Sequence, residues 1–360
     1  MKHFLLAVAT AGASSILLLG CRAGASDADP EPQSEQVRVE VLDDESRVDV
    51  YVNDQLFTSY LYTDTLSVLK KPVLYPINTA EGIAVTRAFP LDVRAGERID
   101  HPHQIGLWLN YGNVNGLDFW NNSDAIPEDR ADQMGTIRHR SIVESQSGDG
   151  QGTLVIDADW QNSVEETLLE ERTRFDFRAE PGARVIDRTT TLTAAAGPVA
   201  LADHKEGVLG LRVRRELEMP TGEKLILTDA SGEPLPDTIL NEEGVSGSYR
   251  NSEGVAGYPD VWGTRASWTA LSGVVDGDSV TVAIFDHPEN VGYPTYWHAR
   301  DYGLFAANPL GQKELSGGQE ELDFALDDGE SVTFRYRVAI YSSHPADEEI
   351  NATYADFINR

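Results

Sequence analysis

The sequence predicts an all-β protein, built as one large antiparallel β-sandwich with a short helix at the C-terminal end. Apolar and polar residues alternate with period two through most of the chain from Val37 to Tyr341, as they do in strands with one buried face. Compact turn signals separate the alternating runs, and no helical pattern intervenes between them. About fourteen short strands joined by close turns indicate an antiparallel sandwich rather than an alternating α/β fold.

Each alternating run places its apolar residues on one face. In the first two, VRVEVLD from Val37 and SRVDVYVN from Ser46, valines alternate with polar residues on either side of an acidic turn. Pro181-Gly182, Asp276-Gly277 and Asp328-Gly329 are compact hairpin turn signals. Further strands are predicted within residues 82–89, 135–145, 153–160, 168–178, 184–193, 265–271, 280–286, 322–326 and 331–341.

One helix is predicted, near the C-terminal end of the chain. His344-Pro345 begins it, and acidic residues occupy positions 347–349, where the helix dipole favours negative charge. Ile350, Tyr354 and Phe357 then form an apolar stripe along one face. We expect this stripe to pack on the sandwich.

The first twenty residues are predicted to be a signal peptide. A short basic start precedes an apolar run over residues 4–19, and Leu18-Leu19-Gly20-Cys21 resembles a lipoprotein cleavage site. Because Cys21 is the sole cysteine of the sequence and stands where lipidation requires it, a lipid anchor is favoured over an ordinary secretory signal. Residues 21–36 are predicted to be a flexible acidic tether, and residues 37–360 a single sandwich domain. We therefore expect an exported lipoprotein, anchored to a membrane and facing the periplasm or the cell surface.

The charge of the chain restricts its partners. The sequence has 59 acidic and 29 basic residues, which gives a formal net charge of −30. A surface this acidic repels phosphate, so nucleic acid is excluded as a partner and any membrane contact is expected through the lipid anchor only. With its cysteine assigned to the anchor, the exported domain has no disulfide and depends on its core for stability.

The stretch from Asp100 to Asn122 has an unusual composition. It combines two histidines and several amides with four aromatic residues, Trp108, Tyr111, Phe119 and Trp120. A buried strand would be richer in Val and Ile, and a solvated loop would not contain so many aromatic rings. Aromatic faces interleaved with amides and imidazoles suit a neutral, hydroxylated ligand. The stretch is therefore predicted to be a carbohydrate site rather than part of the core.

Three motifs carry a resemblance to a known family. The run HPHQIGLWLNYGNVNGLDFW, the tripeptide Asp286-His287-Pro288 and the segment from Gly292 to Gly311 resemble the secreted bacterial family labelled methane oxygenase PmoA-like. The similarity extends from about Lys71 to about Tyr341. It implies a β-rich exported protein of unsettled activity, often found in bacteria that degrade polysaccharides. By analogy of fold alone, the expected form is a galactose-mutarotase-like supersandwich.

The candidate catalytic residues are histidines and carboxylates at strand ends or in loops. In the HPH motif the two histidines are two residues apart, so an extended backbone would point both to one face. A histidine and a carboxylate can act together as general acid and base on a sugar ring or a glycosidic oxygen. Large sandwiches of the aldose-epimerase and polysaccharide-lyase kind provide the fold-level analogy. The candidates are His101, His103, His204, Glu206, His298 and Asp118.

A second set of residues is predicted to bind the substrate. Basic side chains would polarise hydroxyl groups or a carboxylate, and aromatic rings would cover the C–H faces of a sugar. The candidates are Lys71, Arg87, Trp108, Asn115, Trp120, Lys205, His287, Tyr296, Trp297 and Arg300.

Several alternatives stay open at this point. Hydrolysis, elimination and epimerisation all need an acid, a base and groups that bind hydroxyls, so the sequence does not separate them. No cofactor is predicted, although His101 and His103 with a third ligand would suffice for a divalent metal and a metal-dependent hydrolysis. A non-catalytic glycan-binding lipoprotein would need only Trp108, Trp120 and Trp297 on a flat face. Convergence of the histidines and Glu206 in one place would favour catalysis.

Overall fold

The computed structural model describes residues 35–62 and 66–360 and has two large antiparallel β-sheets packed face to face. The predicted signal peptide, Cys21 and residues 21–34 of the predicted tether lie outside the described residues. The strands are β1 (Gln36–Leu42), β2 (Arg47–Val52), β3 (Gln55–Leu61), β4 (Val73–Ile77), β5 (Leu107–Tyr111), β6 (Thr136–Gln146), β7 (Gly148–Asp149), β8 (Gln151–Gln161), β9 (Thr167–Glu180), β10 (Ala183–Ala194), β11 (Val199–Leu201), β12 (Gly207–Arg212), β13 (Lys224–Leu225), β14 (Ile239–Leu240), β15 (Ser248–Asn251), β16 (Trp268–Val275), β17 (Asp278–Asp286), β18 (Tyr296–Ala299), β19 (Leu304–Asn308), β20 (Phe324–Leu326) and β21 (Ser331–Tyr341).

The strand order defines the two layers of the sandwich. The first sheet has nine strands in the order β18-β19-β12-β5-β4-β3-β2-β1-β7, and the second has eight in the order β15-β16-β17-β21-β10-β9-β8-β6. Two further two-stranded ladders join β11 to β20 and β13 to β14. The fold class predicted from the sequence, a large antiparallel sandwich, is confirmed.

The main core lies between the two sheets and explains the alternation seen in the sequence. In β1 and β2, Val37, Val48 and Val50 are fully buried, while Arg38 and Glu40 of β1 are more exposed. The hairpins follow the turn signals: Asp276 and Gly277 between β16 and β17 both have positive φ, at 54° and 96°. Residues 82–89, in contrast, form isolated bridges rather than the predicted strand.

The C-terminal helix covers the outer face of the second sheet. Helix α1 (Gln312–Leu315) is a single turn, whereas α2 (Asp347–Ile358) has three turns and begins with three acidic residues, as predicted. Ile350 and Phe357 pack against Phe285 and Ala339 of the second sheet, and this closes a small satellite core. No helix of the described region is long and apolar enough to cross a membrane.

Three strands of the first sheet lack alternation because they are buried on both faces. Every residue of β5, β12 and β19 is buried. The expectation that the stretch around Trp108 lies outside the core is therefore wrong, since Trp108, Tyr111, Phe119 and Trp120 are each at most 1% exposed. A strand covered on both sides has no polar face, and period-two patterning cannot reveal it.

Candidate active site

The candidate site lies on the outer face of the first sheet, where four strands align a row of residues. His298 in β18 pairs with Ala306 in β19, Ala306 pairs with Gly210 in β12, and Gly210 pairs with Trp108 in β5. Two small residues thus separate the histidine from the tryptophan across about 14 Å, three strand spacings. An added Cβ at Gly210 would fall 2.5 Å from Trp108 Cζ2 and 2.8 Å from Trp120 Cη2, so both indoles lie over this glycine.

The two indoles belong to an apolar cluster that covers this part of the sheet. The ring centroids of Trp108 and Trp120 are 5.1 Å apart, and Trp108 Nε1 donates a hydrogen bond to Asn110 Oδ1 at 3.0 Å. We call this cluster the outer layer; its buried members are Leu69, Val73, Tyr75, Ile105, Trp108, Trp120, Leu304 and Ala306.

Glu206 and His298 stand side by side at one end of the row. Glu206 Oε2 lies 3.7 Å from His298 Nδ1, and their side chains are 17% and 1% exposed. Within the described part of the chain, neither ring nitrogen of His298 nor Oε2 of Glu206 has a hydrogen-bond partner of good geometry. Buried polar atoms are nearly always hydrogen-bonded, so a group of unsatisfied ones indicates a ligand site.

Burial shifts the pKa values of this pair in opposite directions. It raises the pKa of Glu206 to about 7, with a further rise from Asp118, although Lys205 and Arg300 oppose the change. It lowers the pKa of His298 to about 3, assisted by Arg300 and Lys205 and partly opposed by the Lys205 carbonyl. Near neutral pH, Glu206 therefore exchanges its proton readily while His298 stays neutral.

His204 lies next to this pair, in the segment that leads into β12. The backbone N–H of Glu206 donates to His204 Nδ1 at 3.2 Å, which leaves Nε2 as the ring nitrogen that can donate. The amide of Asn308 donates to the carbonyls of His204 and Lys205 at 2.9 and 2.7 Å, which fixes the segment against β19. Lys205 itself pairs with Glu314 at 2.9 Å and is 35% exposed at the rim.

A buried arginine pair holds the loop that carries the HPH motif. Arg87 donates to Asp100 Oδ1 at 2.7 Å and to the carbonyls of Asp100, His101 and Gln104 at 2.8 to 2.9 Å. Arg212 donates to the same Oδ1 at 2.8 Å and to Gln104 Oε1 at 2.5 Å. Burial alone would raise the pKa of Asp100, but the His101 hydrogen bond and the two guanidinium groups hold it well below its usual range.

Lys71 and His103 lie at the tryptophan end of the row. Lys71 Nζ donates to the His103 carbonyl at 2.7 Å and stands 5.3 Å from the centre of the Trp108 ring. Lys71 is 2% exposed, and burial lowers its pKa to about 7 against a smaller opposing effect of Asp118. Burial, with the nearby Lys71 charge, lowers the pKa of His103 to about 2, so its ring is neutral.

Tyr302 connects the two ends of the site. Its ring stacks on His101 with a centroid separation of 5.0 Å and an interplanar angle of 4°. The guanidinium groups of Arg212 and Arg300 lie 4.9 and 5.4 Å from the Tyr302 centroid. Glu206 is also close enough to contribute to a raised pKa of Tyr302, although burial is the larger cause. The structure therefore places His101 and His103 at one end of the row and His204, Glu206 and His298 at the other, with Tyr302 between the two groups.

Asp118 lies nearby but serves the local turn. Its Oδ1 accepts from the backbone N–H groups of Trp120 and Asn121 at 2.9 Å, and its Oδ2 accepts from the Asn121 amide at 2.7 Å. Its charge still acts on Lys71 and Glu206. The structure thus gives Asp118 an electrostatic influence on the site, with Oδ1 bound by backbone N–H groups and Oδ2 by the Asn121 side chain.

Four predicted binding residues lie elsewhere. Asn115 is exposed in a turn, where its side chain bonds the backbone of residues 198 and 200. His287 lies on the second sheet, with its ring 5.2 Å from that of Phe357. Trp297 is fully buried between the sheets. Tyr296 faces the same side as His298 but is 5% exposed beneath Arg265.

Three residues of the site escaped sequence reasoning. Arg212 gave no signal, because only the pairing of β12 with β5 brings it to the HPH loop. Gln104 lies one residue beyond that motif and is 2% exposed. Tyr302 follows Arg300 within the quoted segment, so proximity in sequence to His298 could have identified it.

The donor set around the HPH motif does not suit a metal ion. Among residues 35–62 and 66–360, no three His, Cys, Asp or Glu side chains are arranged to hold one. The rings of His101 and His103 are 5.7 Å apart, and Lys71, Arg87 and Arg212 place positive charge around His103. A divalent cation would be repelled at this position.

Comparison with known proteins gives a family and distant fold relatives. The chain is similar to the GH36 α-galactosidase AgaB from Geobacillus stearothermophilus, with a TM-score of 0.41, 12% identity and 85% of this chain aligned to 41% of that one. It is also similar to a galactose mutarotase-like protein from Clostridium acetobutylicum, with a TM-score of 0.34, 10% identity and coverage of 86% and 99%. For Slr1438 from Synechocystis the TM-score is 0.34, with 9% identity and coverage of 89% and 100%.

These likenesses are too distant to assign an activity. The chain spans about two fifths of the length of the two α-galactosidase chains, AgaB and the galactosidase domain of AgaSK. No curated protein matches the sequence. A family model described as a family of unknown function, DUF6807, matches residues 47–355, and the chain therefore belongs to this family.

Proposed function

We propose that the protein is a carbohydrate-active enzyme in which Glu206 transfers a proton to or from the substrate, beside a neutral His298. The observation that carries this proposal is the contact between the two side chains. They lie 3.7 Å apart, mostly buried, and their facing atoms have no hydrogen-bond partner of good geometry among the described residues. A buried carboxyl group with a pKa near the working pH and no structural role is what a general acid or base requires.

Each neighbouring group has a definite role in this proposal. Glu206 is about half protonated near neutral pH, so it can give a proton to an oxygen or accept one from a hydroxyl or C–H group. His298 stays neutral and can donate or accept a hydrogen bond without competing for that proton. The Nε2–H of His204 is a further donor at the same end of the row. Hydrolysis, elimination and epimerisation are each compatible with these roles.

The burial of the tryptophans favours catalysis over simple glycan binding. A binding module would present indole rings on an open face, whereas Trp108 and Trp120 are fully buried in the outer layer. The titratable side chains lie around that layer instead. A hydroxylated sugar suits them because the available groups are hydrogen-bond donors and acceptors beside the half-buried ring of Tyr302.

The cellular setting stays a proposal of its own. Lipidation at Cys21 would place the enzyme on a membrane surface, where an exported protein can meet polysaccharide fragments. The resemblance of three motifs to the PmoA-like secreted family supports this setting. Cys21→Ser should release the protein from the membrane fraction, and continued fractionation with membranes would count against the anchor.

The catalytic proposal can be tested with a substrate panel. Glycosides and oligosaccharides are incubated with the protein, and product masses separate hydrolysis, elimination and isomerisation. Glu206→Gln should lower turnover by at least about 100-fold, because a general acid or base contributes roughly that much or more. Glu348→Gln, which changes an exposed glutamate of α2, is the matched control. Turnover that survives in Glu206→Gln would remove Glu206 from the mechanism.

A further inference from the structure

We infer that this site takes an anionic carbohydrate, a sugar that bears a carboxylate or a sulfate ester, and that Arg300 binds the anionic group. The inference deepens the proposed function, on which it rests for the place of the sugar. It is carried by the surroundings of Arg300, which follows β18 two residues after His298.

Arg300 is held in place by aromatic rings rather than by an acid. Its guanidinium carbon lies 5.4 Å from the centre of the Tyr302 ring and 6.0 Å from that of Tyr258. The residue is half-buried, and its buried Nε has no hydrogen-bond partner among the described residues. A planar cation fixed between two rings, with its donors unused, is preorganised to bind a planar or tetrahedral anion.

The missing counterion is unusual for this protein. Acidic residues outnumber basic ones by 59 to 29, and most other buried or partly buried arginines of the described residues have an acidic partner. Arg215 has none, but its guanidinium donates to the Glu243 carbonyl. Arg337 pairs with Asp187 and Arg265 pairs with Glu320, each at 2.6 Å. No carboxylate of residues 35–62 or 66–360 lies within 4.0 Å of the Arg300 guanidinium. With acids in such excess, a partly buried arginine that has neither an acidic partner nor another hydrogen-bond acceptor among the described residues is best explained by an anion that comes with the ligand.

The position of Arg300 connects that anion to the reacting groups. Arg300 stands two residues after His298, just past the end of β18, and its positive charge opposes the rise in the pKa of Glu206 and contributes to the lowered pKa of His298. Glu206 nevertheless does not pair with it, because that carboxyl group faces His298 Nδ1. A sugar whose anionic group binds Arg300 would therefore present its ring to Glu206.

Matched sugars that differ only at C6 provide the test. D-glucuronate, D-glucose 6-sulfate and D-glucose, with the corresponding galactose series, are titrated against the purified protein by ligand-observed NMR. Both anionic members of at least one series should bind at least about tenfold more tightly than the hexose, a difference of about 1.4 kcal/mol. A stronger preference for the uronate or for the 6-sulfate identifies the anion.

Three variants assign the effect to Arg300. Arg300→Gln should remove the preference, and Arg300→Lys, which keeps the charge but not the fork of donors, should retain part of it. Arg138→Gln is the matched control, because Arg138 is exposed and has no salt bridge within the described residues. Unfolding midpoints equal to wild type would show that the variants are folded. A preference that persists in Arg300→Gln, binding of the neutral hexose as tight as that of its anionic partner, or no binding of any sugar would overturn the inference.

The two proposals fail separately. If oligosaccharides of the preferred uronate bind in an Arg300-dependent way but are not converted, the anion subsite stands and catalysis by Glu206 does not. If neutral glycosides are converted in a Glu206-dependent way with no effect of Arg300→Gln, the catalytic proposal stands and the anion subsite does not.

Discussion

Replacing Glu206 by Gln should stabilise the folded protein above pH 7, even though it removes the proposed acid–base group. The ionised carboxylate is held in a buried position with a side-chain exposure of 17% and no good hydrogen-bond donor at Oε2 within the described residues. Burial raises its pKa from 4.5 to about 7. The folded protein therefore binds a proton more tightly than the unfolded chain does, and ionisation costs folding free energy.

The size of the effect follows from the pKa shift and the sign from proton linkage. A difference of about 2.5 pKa units corresponds to roughly 3 kcal/mol, an upper value because relaxation and water access reduce it. Below pH 4.5 both states are protonated and the cost is absent. Between pH 4.5 and about 7 the stability of the wild-type protein falls as pH rises, and above that range the full cost is present.

Denaturant unfolding of wild type and Glu206→Gln at pH 5 and pH 8 measures this directly. We expect the variant to gain at least about 1 kcal/mol relative to wild type between the two pH values, since an amide has no charge to bury. The same comparison with Glu348→Gln, at an exposed site, should show no such change. An equal pH dependence of the free energy of unfolding in wild type and Glu206→Gln would refute the argument that ionised Glu206 destabilises the folded protein.

Two further changes test other parts of the site. Lys71→Met should stabilise the protein by roughly 2 to 4 kcal/mol at pH 6, because a fully buried ammonium group is removed. The gain should shrink between pH 7 and pH 10.5, because wild-type Lys71 becomes neutral in the folded state over that range. A gain in urea unfolding that is constant from pH 6 to pH 10.5 would contradict this. Gly210→Ala should cost about 1 to 3 kcal/mol and alter tryptophan fluorescence, because the new Cβ would overlap the Trp108 and Trp120 rings. Gly222→Ala, where nothing lies within 4 Å of the added Cβ, is its control, and similar losses in the two variants would count against the packing argument.

Much of the fold could be predicted because apolar and polar residues alternate in the sequence of a strand that has one solvated face. The runs that became β1, β9 and β10 are of this kind, and the apolar stripe of α2 is the helical equivalent. The strands beneath the candidate site are the exception. β5, β12 and β19 are covered on both faces, so their sequences do not alternate, and the stretch that contains β5 was predicted to be a ligand site instead of a strand.

The site residues could be predicted only where the local sequence distinguished them from their surroundings. The histidines and Glu206 stood out because polar, titratable residues clustered in short motifs. Arg212 and the small residues Ala306 and Gly210 did not, since their importance depends on register between strands that are about 100 residues apart in the chain. Trp297 stood out by its type alone, and it lies between the sheets because it points to the face of β18 opposite to that of His298.

The C-terminal helix gives substitutions on the two outer faces of the sandwich different expected effects. Because α2 shields the apolar outer surface of the second sheet, damage to Ile350 or Phe357 would uncover Phe285 and Ala339 and invite self-association. Damage on the opposite side, around Glu206, would leave that shield intact. Substitutions that cause precipitation should therefore lie at the outer surface of the second sheet, and substitutions that abolish activity at the outer surface of the first. The solubility of a variant would then indicate which of the two sheets the substitution has disturbed.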